Sequence, residues 1–248
     1  MSAPSVSVVV PTADRGVLLQ RSIDSILAQG NYVAEILIVD NGYTDACFVQ
    51  VDPRIRIIRT APRIGPGKAR NLGVQASSGI LVAFLDDDDL WLPRYLEFVL
   101  RTFVEKNADA VLGQLMRQEE AGHPVPYKIF PDNIESQRQV FFSNPGFGGQ
   151  NLTIRRDVFL AFGGFDEGMP ASEDRDLAAR MLLAGKVLVP QPNAVAVLCD
   201  HAGARARHSL VKGNLAFIKK HWRKMRFSEL RRAFAVLVKR YLWLALGH

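Results

Sequence analysis

Cysteine is scarce: the 248 residues hold two, Cys47 and Cys199. Their separation matches no zinc or redox spacing, and a chain that needs no disulfide suits a reducing cytosol. Long apolar runs are lacking as well. No stretch reaches the roughly 18 apolar residues of a spanning helix. A cytoplasmic protein, or one held peripherally on the inner face of a membrane, is therefore expected. The opening MSAPSVSVVVPTADRG has no basic n-region and no extended apolar core, so it reads as a first strand rather than a secretory leader. The phosphate loop GxxxxGK[ST] is absent too, which removes the P-loop proteins from consideration. Hydrophobic residues at 48% and charged residues at 23% suit a folded core and argue against wholesale disorder.

Acidic residues are nearly missing from the last stretch. Lys212 to His248 carries ten Lys/Arg and one acid, Glu229, a net of +9, while the remainder carries 21 basic and 24 acidic residues. The positive charge is a local feature, and it points to a local polyanionic partner rather than to a basic protein as a whole.

The first 90 residues alternate strand and helix patterns. Val6–Val10, Glu35–Asp40, Ile55–Ile58 and Ile80–Asp86 are short apolar runs rich in β-branched residues. Gly16–Gln29 and Gly65–Ala76 have helical spacing. This order predicts an α/β fold with a mostly parallel sheet covered by helices. Ligands of such sheets sit beyond the carboxyl ends of the strands. Farther on, Pro93–Lys106 and Glu173–Ala184 read as helices. Ala108–Met116, Lys186–Val189 and Ala194–Cys199 read as strands. His123–Gly149 is rich in Pro, Gly, Asn and aromatics, and reads as a long functional loop. Ser209–Leu246 reads as helical, with a break near Ser228.

Four consecutive carboxylates, Asp86, Asp87, Asp88 and Asp89, follow the apolar run ILVAFL. They repel one another unless a cation compensates. Oxygen donors of this kind suit Mg²⁺ or Mn²⁺ with phosphate oxygens completing the shell. The competing reading is that Asp88 or Asp89 caps the helix near Leu92-Pro93. Polar residues also end the first two strands: Thr12 and Asp14 after one, Asp40 and Asn41 after the other. Each has an equally good reading in turn chemistry. Arg63, Lys68 and Arg70 flank Gly65-Pro66-Gly67, where a helix start favours anions. Glu173 and Asp174 follow GGFDEGMPAS. They read either as reactive carboxylates or as first-turn acids behind a Ser172 cap.

Taken in order, VSVVVPT, IVDNGYTD, ARNLGVQASSGILVAFLDDDDLW, and GGFDE with SEDRDLAARMLLAG resemble glycosyltransferase family 2 over about residues 6 to 210. The resemblance implies a GT-A fold over 1–211; the remainder, 212–248, reads from its own charge and apolar spacing as a basic amphipathic helical tail. The resemblance implies transfer of a sugar, with inversion, from a nucleoside-diphosphate sugar to a hydroxyl of a carbohydrate or lipid-linked acceptor. Thr12, Asp14 and Asp40 would lie at the base and ribose, and Arg63, Lys68, Arg70 and Asn71 in the nucleotide-side segment. Asp86 and Asp88 match the DXD motif. The first would face ribose or metal, the second would ligate Mn²⁺ or Mg²⁺, and Asp87 would stand between them on the donor side. Asp174 matches the catalytic base, with Glu173 orienting the site or acceptor, and Arg180 and Gly185 complete that segment. Asn41 and Tyr43 replace an acid and a serine present in many members, so the base is not set.

Gly148-Gly149-Gln150-Asn151 is placed on the acceptor side or in a plain turn. Phe141, Phe142 and Phe147 are sugar-stacking or core residues. His201 and His208 follow the last strands as candidate metal neighbours. The tail from Phe217 interleaves cations with apolar residues, which fits an anionic membrane surface or a helix packed on the domain. A nucleic-acid partner is not expected. Two rivals stand: a nucleotidyltransferase, disfavoured by the missing triphosphate loop, and a non-catalytic membrane-associated scaffold.

Overall fold

The computed structural model describes residues 6–49, 52–119, 122–199 and 207–245. Its first strand, β1 (Val6–Thr12), is buried along its whole length and shows why the sheet is covered on both sides. Side chains alternate between faces. Val9 joins Leu37, Val39, Val82 and Phe84 in one core layer, whereas Val6, Val8 and Val10 join Ile36, Ile38, Ala83 and Leu85 in the other. The first layer is closed by α2 (Pro66–Ala76), α6 (Glu173–Leu183) and α7 (Arg207–His221), through Val74, Leu177, Met181 and Phe217. The second is closed by α1 (Gly16–Leu27) and α3 (Tyr95–Lys106), through Ile23, Ile26, Leu96 and Val99. At Gly73, on α2, a Cβ would stand 2.3 Å from Val9 Cγ1. Only glycine lets the helix approach β1 so closely.

The remaining strands are β2 (Val33–Asp40), β3 (Ile55–Arg59), β4 (Leu81–Phe84), β5 (Leu90–Trp91), β6 (Ala110–Gln118), β7 (Val125–Lys128), β8 (Leu152–Arg155) and β9 (Leu188–Cys199). Together the described residues form one nine-stranded sheet of order β3-β2-β1-β4-β8-β6-β9-β5, with β7 on β6. The sheet is mixed, and this corrects the expectation of a mostly parallel one. β1, β2, β3 and β4 pair in parallel, as does β6 with β9. β8, however, enters in reverse between β4 and β6, and β5 and β7 also pair antiparallel. The regular strand–helix alternation ends with β4. Beyond it strands no longer alternate with single crossover helices, so the chain can enter the sheet in either direction.

Three other expectations are revised. The stretch 123–149 is not bare loop: it holds β7 and a short helix, α4 (Ile134–Gln137). The two late strands are one, β9, which pairs with β6 across an irregularity opposite Gly113/Gln114. The tail break lies at Trp222–Lys224, a 3₁₀ turn before α8 (Phe227–Ala245). The remaining helix, α5, spans Arg156–Ala161. Among the described residues no helix is long and apolar enough to cross a membrane.

Candidate active site

The register of β1 brings the site together. Val9 pairs with Phe84, so Thr12, three residues on, stands beside the turn after β4. Its hydroxyl donates to Asp87 Oδ2 at 2.7 Å. Asp89 N–H donates to the Asp86 carbonyl and closes the turn. Ser22 of α1 donates to the Asp89 carbonyl at 2.7 Å, and Cys199 N–H, at the end of β9, donates to Asp89 Oδ1 at 3.1 Å. Carboxylate oxygens of Asp86, Asp88 and Asp89 lie within 4.8 Å of one another. An all-oxygen donor set this compact fits a hard divalent cation.

The capping alternative does not describe these aspartates. The residue preceding α3 is Arg94, in the left-handed region, with no side-chain cap. Asp87 stands apart from the trio. Burial pushes its carboxyl up to about 6; Asp88 and Asp86 add to this, while the Thr12 hydrogen bond and Arg15 oppose it.

Arg15 and Arg70 both pair with the acidic run. Arg15 Nη1 reaches Asp87 Oδ1 at 3.3 Å and is ion-paired with Asp88. Arg70, buried in α2, is ion-paired with Asp86 and reaches Glu173 Oε1 at 3.4 Å. Its charged form is favoured: desolvation opposes it, but Asp86, Glu173 and Asp174 outweigh that penalty. Glycine at 149 leaves the guanidinium its place, since a Cβ there would lie 2.8 Å from Arg70 Cζ and displace it. One side chain therefore links the acidic run to the first turn of α6.

That first turn holds Glu173 and Asp174, both half-buried. Ser172 precedes them at φ 70°, and its side chain makes no capping bond. A left-handed serine without a cap is backbone strain of the kind that collects at functional sites. Asp174 Oδ1 accepts from Arg175 N–H at 2.7 Å, and Asp174 Oδ2 accepts from Asn144 Nδ2 at 3.2 Å. Asn144 is itself fixed, since its side-chain Oδ1 accepts from Gly146 and Phe147 N–H.

The strand-end residues hold one another. Asp40, at 1% exposure, accepts from Gly42 and Ala46 N–H and is ion-paired with Arg59. Asp14, at φ 60°, accepts from Thr44 and pairs with Arg63 at 2.7 Å. The Thr44 N–H is the largest influence holding the Asp14 carboxyl below its ordinary range. Arg63 also lies over the Tyr43 ring. Lys68 and Asn71 turn instead to the GGFDE segment. Lys68 pairs with Glu167 at 3.7 Å, and Asn71 exchanges hydrogen bonds with the Phe165 backbone.

Asn151 is wholly buried, donating to the Gly113 and Gly146 carbonyls. Phe141 and Phe147 are core residues, while half-buried Phe142 lies under Arg232. Arg180 holds the carbonyls of Phe162 and Gly164, and Gly185 ends α6 at φ 70°. His201 lies outside the described residues; His208 belongs to the first turn of α7, with its side chain outside them.

Sequence reasoning left Arg15 and Asn144 out of the site, and had Asp89 in the acidic run without assigning it to the metal. Asp89 was visible as the fourth member of the run. Arg15 was visible as a cation next to a strand-end acid. Nothing local marks Asn144, which sits in an Asn-Pro-Gly turn.

The expected boundary after residue 211 falls within α7, which packs on the core through Phe217 and Ile218. α8 is tied to the domain by a two-pronged Arg138–Glu229 pair at 2.6 and 2.7 Å.

Comparison with known proteins extends this geometry. The chain is 28% identical over 269 residues to the succinoglycan biosynthesis protein ExoO of Rhizobium meliloti, covering 95% of this chain and 77% of that one. It is 29% identical over 215 residues to the pre-mycofactocin glycosyltransferase of Mycobacterium tuberculosis, covering 81% and 44%. Among solved structures, S. aureus TarS 1–349 superposes at a TM-score of 0.63 with 18% identity, covering 96% of this chain and 71% of that one. The same protein in complex with UDP-GlcNAc gives 0.64 at 15% identity, covering 95% and 80%. Likeness at that identity establishes a shared fold. The sequence profile of glycosyl transferase family 2 matches residues 7–162. That stretch runs from the buried valines of β1 through the acidic run to α5, and stops short of Glu173 and Asp174. With more than half of its length matched in this way, the chain belongs to glycosyl transferase family 2.

Proposed function

We propose that the protein is a metal-dependent inverting transferase of GT-A architecture. It moves a sugar from a nucleoside-diphosphate sugar to an acceptor hydroxyl in the assembly of a bacterial surface polysaccharide or glycolipid. The supporting observation is the Arg70 bridge, which joins Asp86 to Glu173 and so holds the acidic run and the α6 carboxylates as one unit. Asp86, Asp88 and Asp89 would hold Mn²⁺ or Mg²⁺. When bound, that ion stabilises the charge developing on a departing diphosphate.

The chain's own residues supply the rest. Thr12 fixes Asp87, and Asp14, Asp40, Arg63 and Arg59 frame the strand ends where base and ribose would lie. Arg70 holds Glu173 in place. Asp174 accepts the proton of the attacking hydroxyl, as a poor nucleophile requires. Asn144 aims Asp174 by its hydrogen bond to Oδ2. Attack from the face opposite the leaving group inverts the anomeric centre.

The test is nucleoside diphosphate release from a panel of uridine, thymidine and guanosine diphosphate sugars with Mn²⁺ or Mg²⁺. We expect release with one donor class, abolished by chelator. Pyrophosphate release from a nucleoside triphosphate would make the protein a nucleotidyltransferase, and no turnover with any donor would favour a scaffold.

The same proposal places α8 on an anionic membrane. Phe227, Phe234, Val238, Tyr241 and Leu242 are exposed along it, on a tail of net charge +9. Apolar residues among cations are the combination an anionic interface selects. Truncation after Val211 would also remove Phe217 from the core, so surface replacements are the cleaner test. The intact protein is expected to sediment with phosphatidylserine vesicles, and the Tyr241→Asp/Leu242→Asp variant to stay in the supernatant. Equal sedimentation of both, or of neither, excludes this surface.

A further inference from the structure

Arg15 and Arg70 both compensate the acidic run, but from different positions. Arg70 is enclosed, its side chain 5% exposed, on Asp86 and Glu173. Arg15 covers the run from solvent: its side chain is 38% exposed, against 8% for Asp87 and 17% for Asp88. Its Nη1 reaches both carboxylates. Asp88 belongs to the compact oxygen trio, whereas Asp87 does not and is anchored by Thr12.

A carboxylate oxygen engaged by a guanidinium cannot give the same lone pair to a cation, and the two positive charges repel. Asp88 therefore serves Arg15 or a divalent ion, not both in full. Asp87 gives the arginine a second anchor at 3.3 Å to retain as it leaves Asp88.

We propose that Arg15 is an exchangeable counter-cation and donor-binding residue. It holds Asp88 while the site awaits its ion, then turns about Asp87 to the donor's diphosphate. A planar guanidinium fits paired phosphate oxygens, and the side chain lies on the solvent side of the run. This inference rests on the metal-site reading above.

The experiment is calorimetry on the full chain, with thermal midpoints recorded for Arg15→Gln and Arg15→Lys. Two titrations are compared: Mn²⁺ alone, and nucleoside diphosphate at saturating Mn²⁺. Charge-assisted hydrogen bonds of this kind are worth on the order of tenfold in affinity. Arg15→Gln is expected to bind Mn²⁺ alone about tenfold more tightly and the diphosphate about tenfold more weakly. Arg15→Lys keeps the charge, so its Mn²⁺ affinity should stay near that of the unsubstituted protein while diphosphate affinity falls. Opposite signs support the exchange, because a merely structural role would weaken both. Shifts of the same sign, or none, overturn it with the metal site intact. No Mn²⁺ heat from the unsubstituted protein overturns the metal-site reading and this inference together.

Discussion

Asp174→Asn is expected to lower the rate of sugar transfer about a thousandfold, within the range usual for loss of a general base, while nucleoside diphosphate affinity stays near normal. The substitution is isosteric, and its amide oxygen can still accept from Arg175 N–H or from Asn144 Nδ2. Shape and local hydrogen bonding are thus largely kept. The capacity to take a proton from an acceptor hydroxyl is lost. Asp174 also contributes to the field on Arg70, behind Asp86 and Glu173, so its neutralisation leaves the larger part of that arginine's compensation in place. Single-turnover transfer with a competent donor, set beside calorimetry with its nucleoside diphosphate, separates the two effects. Transfer within tenfold of normal would remove Asp174 from the proton-accepting role, and a parallel loss of nucleotide affinity would show it to be a binding residue instead.

Much of this site could be read in the sequence because its parts are local signals. A β-branched run closed by Pro11-Thr12 marks a strand end, and four aspartates after ILVAFL mark another. The alternation that divides Val9 from Val8 and Val10 is a period of two, legible without coordinates. Long-range pairings were not legible. Arg15 meets Asp88 across 73 positions, and Asn144 meets Asp174 across 30. Which cation or amide answers which carboxylate depends on sheet order, and periodicity does not encode that order. β8 was not read as a strand at all, being four residues long, and a run such as LTI looks alike in either direction, so its reversal is not encoded locally either. Phe141 and Phe147 carried no signal that separates a sugar platform from a core filler, and the fold places them in the core. The Glu173-Asp174-Arg175-Asp176 run conceals a further division, because consecutive acids on a helix face different ways.

Asp176 lies two residues beyond Asp174, a turn of about 200° on an α-helix, and it serves the core rather than the site. It is wholly buried. Arg180 Nε donates to it at 2.7 Å, and His221 Nε2 and Lys220 Nζ stand at 2.8 Å. Burial alone would raise its pKa, but the hydrogen bonds from His221 and Lys220 and the charge of Arg180 outweigh it, so the pKa is lowered. These contacts join α6 to α7. Asp176→Asn takes the wholly buried counter-charge away from the partly exposed Arg180 and Lys220, a loss of about 3 kcal/mol, the low end for removing one partner of a buried pair. For a domain of this size that is roughly 6–12 °C in the thermal midpoint. The pH dependence follows from the lowered pKa. A carboxylate with a depressed folded pKa contributes its full stability above its unfolded value and loses it as pH falls through the folded one. The gap between Asp176→Asn and the unsubstituted protein should therefore be constant near neutrality and narrow below about pH 4. Thermal melts of both proteins across that range measure it. An unchanged midpoint at neutral pH, or a gap that widens with acid, would show that Asp176 does not hold α6 against α7. Taken with Asp174→Asn, the outcome separates chemistry from architecture within one helical turn: the first variant should be folded and inactive, the second loosened throughout.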